Sequence, residues 1–286
     1  MLDGLAVLVR AAFYAGALLA AGSVLCLWLL STLPTQVRQR LRVVTPIAGL
    51  VALIAAGSGV ALEAVFLAGN DWTAALDGEL IGFILDGPKG LSLAVLLAGL
   101  MLSSLIWLRR LAADWLALAG VFAIAVSFGL TGHTWTAPGL LLNALVTLHM
   151  LLLSFWLGVF IPLYRMSHGD LVRAGAVAHQ FGRQAVWAVA GLAVAGLITL
   201  HQLTGGLVAA LATLYGQIFA VKLSLFVLVM GFAAYNRLRL TPALMRGESA
   251  AADHLRGSLM LESVLLLGIL FVTATVTTVT GPGASM

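Results

Sequence analysis

Apolar stretches long enough to cross a bilayer alternate along this chain with short polar connections. A hydrocarbon core of about 30 Å needs roughly 17–25 apolar residues wound as a helix. Eight runs meet that length, at residues 5–33, 43–69, 90–108, 111–130, 137–164, 185–203, 211–235 and 259–279. The pattern predicts an all-α polytopic membrane protein with eight transmembrane helices, a single integral-membrane domain over residues 1–286. Arg109 and Arg110 part the third run from the fourth, as in a tight helical hairpin. No polar stretch is long enough to bury a core of its own, so no soluble domain is expected. The one sizeable connection, 70–89, holds Asp71, Asp77, Glu79, Asp86 and Trp72. It reads as a solvated cap with an interfacial tryptophan, or as a docking or cation-collecting surface.

Composition agrees. The chain is 62% hydrophobic and 9% charged, against about 25% charged in a soluble domain, and its mean hydropathy is +1.09. The net charge of +4 is then no sign of nucleic acid; what matters is where the positives fall. Arg38, Arg40 and Arg42 follow the first run, and Arg109 and Arg110 the third. Arg165, Arg173 and Arg183 follow the fifth, and Arg237, Arg239, Arg246 and Arg256 the seventh. These are twelve of the fifteen basic residues. The positive-inside rule puts these loops in the cytoplasm and both termini outside, which is the periplasm for a bacterial inner membrane. The first run exceeds the roughly 7–15 residues of a signal core, and Asp3 and Arg10 cancel at its start, so a retained span is expected. The single cysteine, Cys26, excludes an intrachain disulfide framework.

Polar groups inside the runs carry the candidate chemistry, because each needs a partner where there is no water. At about 1.5 Å per residue, loop residues serve as rulers of depth. His149 lies 11 residues beyond Pro138, about 16 Å down and near the midplane. Trp156 is seven residues further, about 10 Å along on nearly the same face. His133, His201 and Glu63 each come out near the outer edge, and Lys222 between that edge and the centre. Glu262 lies six residues from Arg256, about 9 Å from the inner face, with Asn236 at a similar level. Glu63, His133, His149 and His201 form the candidate metal set. Trp156, Lys222, Asn236 and Glu262 are pathway-lining or structural. The series descends as an ion or proton path would, and unrelated polar contacts would give the same layout. An interhelical hydrogen bond from His149, worth about 0.6–2 kcal/mol, is the plain alternative. Lys222 and Glu262 are well separated in depth and need not pair. Met101, Met150, Met230 and Met260 suit Cu(I) but read as core filler, as does Cys26. Phosphate-loop, Gly-x-Ser-x-Gly and His-Glu-x-x-His patterns are absent, so no enzyme is expected.

Several segments together resemble the CopD/PcoD family of bacterial copper-resistance membrane proteins. Leu148-His149 through Ser154-Phe155-Trp156-Leu157-Gly158 resembles its His…Trp-x-Gly signature, preceded by Thr131-Gly132-His133. Phe181-Gly182-Arg183, Leu214-Tyr215-Gly216 with Lys222-Leu223, and Asn236-Arg237-Leu238 with Leu240 and Pro242 follow in the family's order, then Glu262. The resemblance is clear over residues 130–280 and weaker over the first four spans. It implies an inner-membrane protein that moves or handles a copper ion, in the direction of import, beside a periplasmic CopC-like carrier. No CopC-like domain is fused in this sequence, so that partner would be separate. His133 and His201 would receive the ion and His149 would pass it on. Two other classes stay open: a b-type haem protein with His149 and a second histidine as axial ligands, and a non-transporting scaffold or sensor docking a periplasmic partner through 70–89.

Overall fold

A computed structural model describes residues 2–130, 140–204 and 214–279. Among them are eight helices long and apolar enough to cross a membrane and no strand. The long helices are α1 (Leu2–Leu29), α2 (Thr35–Leu67), α4 (Pro88–Ser104), α5 (Leu111–Ser127), α6 (Leu140–Met166), α7 (Leu171–Thr204), α8 (Leu214–Tyr235) and α10 (Ser249–Val279). Two short helices join them, α3 (Gly78–Leu85) and α9 (Thr241–Met245). A π-helical turn, Asn236–Leu240, links α8 to α9.

Helix α1 is the central post and packs on α2, α4, α5, α6 and α10. Small residues make this possible, since Gly16, Ala17, Ala20, Ala21, Gly22 and Ser23 are all buried. In lipid no hydrophobic force drives one apolar helix against another, so association relies on close packing, which small residues permit. The tightest crossing is α1 on α6. A Cβ at Gly22 would overlap the Ser154 carbonyl oxygen, and a Cβ at Gly158 would overlap the Gly22 carbonyl. The α4–α5 hairpin repeats the device: a Cβ at Gly99 would lie 2.9 Å from the Gly120 oxygen, and one at Gly120 would lie 2.6 Å from the Gly99 oxygen. Arg109, at φ 56°, takes the left-handed conformation that reverses the chain there.

The arginine-rich connections gather at one end of the bundle. There Arg42 of α2 donates to the Ile106 carbonyl at 2.7 Å and pairs with Asp114 at 3.5 Å. Trp28 of α1 donates to the Asp114 carbonyl and meets the Trp115 ring edge-on at 4.6 Å. The C-terminus of α1 leaves carbonyls without helical partners; Gln180 and Gln184 of α7 both donate to Leu29 at 3.0 Å. At the opposite end, Tyr14 of α1 meets Thr277 of α10 at 3.2 Å.

Several boundaries differ from the hydropathy runs. Helix α7 begins at Leu171, well before residue 185, because the helix runs on through arginines and glutamines at the arginine-rich end. Helix α10 likewise starts at Ser249. The connection 70–89 is folded. Asp71 accepts from the Thr73 backbone at 2.9 Å, starting a 3₁₀ turn (Trp72–Leu76), and Asp77 accepts from Glu79 and Leu80, starting α3. The Thr73 amide and hydroxyl hold the Asp71 carboxyl below its ordinary pKa. Ile84 of α3 packs with Val60 and Ala64 of α2, while Trp72, Leu76 and Phe83 remain exposed.

The α1–α6 crossing gives a direct stability prediction. Gly158→Ala adds one carbon where backbone already sits, and overpacking of this kind costs about 1–3 kcal/mol. Gly57→Ala, with open space around the new carbon, should be neutral or slightly stabilising. Thermal unfolding of the two purified variants checks this; equal midpoints would contradict the crossing.

Candidate functional site

Helix α6 presents two faces. Successive residues turn by about 100°, so Gly158 points about 180° away from His149 and about 160° away from Trp156. Gly158 meets α1. The opposite face meets α7, α8 and α10, where Trp156, Leu192, Val229, Leu266 and Ile269 form a buried cluster. The Trp156 ring stands perpendicular to Phe181 of α7, with centroids 6.0 Å apart. Trp156 is thus a packed residue that fixes how α6 sits on α7 and α10.

One side of this cluster carries the midplane histidine. His149 lies nine residues into α6, about 14 Å from its start. Its ring reaches the backbone of Leu192 on α7, and Lys222 of α8 lies close enough for their charges to interact. Both side chains are half-buried. Leu192 of α7 and Lys222 of α8 therefore both come near His149 of α6. Residues 222 and 149 come from separate runs, so depth rulers alone could not join them.

The remaining candidates lie apart. His201 is exposed near the end of α7. His133 falls outside the described residues. Glu63 of α2 forms an ion pair with Lys89, the second residue of α4, and Arg10 of α1 is also near Lys89. The hydropathy run starts at residue 90, but Pro88 opens the helix, and that lifts Lys89 to the level of Glu63. Among the described residues no group of three or more His, Cys, Asp and Glu side chains is placed to hold a metal. The three candidate ligands that are described, Glu63, His149 and His201, are not assembled into one centre.

Glu262 is buried near the arginine-rich end. Its Oε1 accepts from Asn236 Nδ2 at 2.5 Å and from Ser258 Oγ at 3.4 Å. The shared level read from the sequence is thus a direct contact, while Ser258, one turn away on α10, had no signal beyond its spacing. No salt bridge joins Lys222 to Glu262 among the described residues. Cys26 is buried, its Sγ 3.9 Å from the Phe155 carbonyl. Met230 packs beside the Trp156 cluster. Met101 and Met260 depart from the core-filler expectation, being 62% and 60% exposed on the outward faces of their helices.

Two family models match this chain. The one for Copper resistance protein D covers residues 175–276, and the one for Copper resistance protein D-like, N-terminal domain, covers residues 1–143. The chain belongs to the CopD family of copper-resistance membrane proteins. Family likeness therefore extends over the first four spans, beyond the C-terminal half where the motifs were clearest. The stretch between the two matches, 144–174, holds His149, Trp156 and Gly158. No curated protein and no solved structure matches the chain. Glu262 and Asn236 are joined in this structure, and His149 and Gly158 take opposite faces of one helix.

The Glu63–Lys89 pair is partly exposed, and such pairs contribute about 0.2–1 kcal/mol. Glu63→Gln and Lys89→Met should each destabilise slightly, and the double variant should cost less than their sum by that amount. Strictly additive losses in a double-mutant cycle would contradict the pair.

Proposed function

We propose that this CopD-family protein carries copper across the bacterial inner membrane, from the periplasm toward the cytoplasm, through a path whose midplane station is His149. The carrying observation is the meeting of α6, α7 and α8 at that one histidine. Neutral imidazole is a good copper ligand, and an ionisable group at this depth is functional by default. The arginine-rich end faces the cytoplasm by the positive-inside rule, and both termini then lie in the periplasm. The protein acts as a non-enzymatic carrier or channel. Glu63, His201 and His133 belong to the outer mouth on this reading, with Glu63 released from Lys89 when a cation arrives. Glu79 and Asp86, exposed on the folded connection, give a separate periplasmic CopC-like copper carrier an acidic surface to approach.

Lys222 bears on the same step. A lysine cation beside His149 opposes a second cation there, which keeps the station weak enough for the ion to leave. Conduction needs such a balance between entry and release.

Copper and haem content of the purified protein test the reading, wild type beside His149→Ala. Copper held by wild type and lost in the variant is the expected result. A Soret band in place of copper would move the chain to the haem class, and copper unchanged in the variant would sink the role of His149. Lys222→Met should raise copper retention several-fold at neutral pH; reduced retention would show that the lysine supports the site instead of opposing it.

A further inference from the structure

A second polar station lies inside the bundle, away from His149. Glu262 of α10 is 2% exposed, and its neighbour Ser258 is 7% exposed. The groups touching the carboxylate, Asn236 and Ser258, are both uncharged. Charged groups on the surrounding elements lie elsewhere. Arg237 and Arg239 of the π turn are exposed, and Arg237 runs beside Gly182 of α7. Arg165 in the last turn of α6 is exposed. Arg256 of α10 is held by Asp253 and by the Ser167 carbonyl, with His254 next to it in sequence. Helix α9 has no charged residue, and the charges of α1, Asp3 and Arg10, lie at the opposite end. Lys222 of α8 is fourteen residues before Asn236, about 21 Å along the helix.

The π turn sets the geometry of the pair. The Asn236 carbonyl is engaged by the Thr241 amide and, at 2.9 Å, by its hydroxyl. That anchors the asparagine backbone and aims its amide at α10. Such π-helical insertions occur often at functional sites. The amide offers Nδ2 to the carboxylate, while Asn236 Oδ1 is buried and has no hydrogen-bond partner. A buried acceptor left empty is costly, and it marks the other half of a two-position contact.

We propose that Glu262 is a proton-exchange site, with Asn236 as its two-state partner. The contact from Nδ2 to Oε1 is the one an ionised Glu262 would accept. When a proton arrives on the carboxyl, a half-turn of the Asn236 amide brings Oδ1 round to accept it. Each state leaves one amide atom unpaired and neither leaves the carboxyl so, which suits a site that must load and unload. A sodium ion is the poorer occupant, because it would draw Oδ1, not N–H, toward the carboxylate. The arginine-rich end is the nearer surface.

Infrared difference spectroscopy of the purified full-length protein, between acidic and alkaline buffer, reads this directly. A protonated-carboxyl stretch that rises in acid and is lost in Glu262→Gln is expected. Asn236→Leu removes the donor that favours the charged form, so the midpoint should move to higher pH. Circular dichroism establishes that both variants fold. The other ten of the 11 acidic side chains titrate in both proteins, so the reading is the difference: a carboxyl region unchanged by Glu262→Gln, or a Glu262 component that follows sodium at fixed pH, would overturn the proposal. Copper uptake is not part of the readout, so failure of the copper reading leaves this test standing.

Discussion

The structure depends on one backbone contact between α1 and α6. At Gly22 and Gly158 the two helices touch with no side chain between them. A hydrocarbon solvent gives apolar helices no reason to leave it, so van der Waals fit at such crossings holds the bundle together. Because Gly158 faces α1, the opposite face of α6 is turned to α7, α8 and α10, and His149 and Trp156 lie on it. In this chain His149, Trp156 and Gly158 thus form two surfaces on one helix: a glycine that seats the helix, and a histidine and tryptophan that the seating aims.

Most polar groups in the interior find a partner close by; Ser23 Oγ and Asn236 Oδ1 are exceptions among the described residues. Thr45, Ser103 and Ser127 donate to carbonyls of their own helices. Gln180 and Gln184 close the end of α1. His149 and Glu262 are ionisable, and both sit where α8 meets its neighbours. Membership of the copper-resistance family is what links the first of these to copper in the proposed function. The second belongs to the chain's own geometry, above all to the π turn that follows α8.

Hydropathy made the fold legible, since spans in lipid must be long and continuous to satisfy their backbones. It was blind where a helix leaves the membrane, so the arginine- and glutamine-bearing start of α7 was read as loop. It was blind too to the connection 70–89, which is ordered by Asp71 and Asp77 as local caps, a short-range device that hydropathy averages away. Depth rulers placed Asn236 beside Glu262 correctly because both lie near the same loops. They missed Lys222 beside His149 and Lys89 against Glu63, because a ruler along one helix carries no information about which neighbour it meets. The outward faces of Met101 and Met260 were hidden for the same reason: in lipid, apolar residues serve inside and outside alike.

The central claim is that His149 is a station on a copper path. Copper uptake into sealed proteoliposomes, wild type beside His149→Ala at matched protein content, tests it most directly. The account predicts uptake by wild type and loss of most of it in the variant, with the variant still folded. Equal uptake by the two proteins would contradict it.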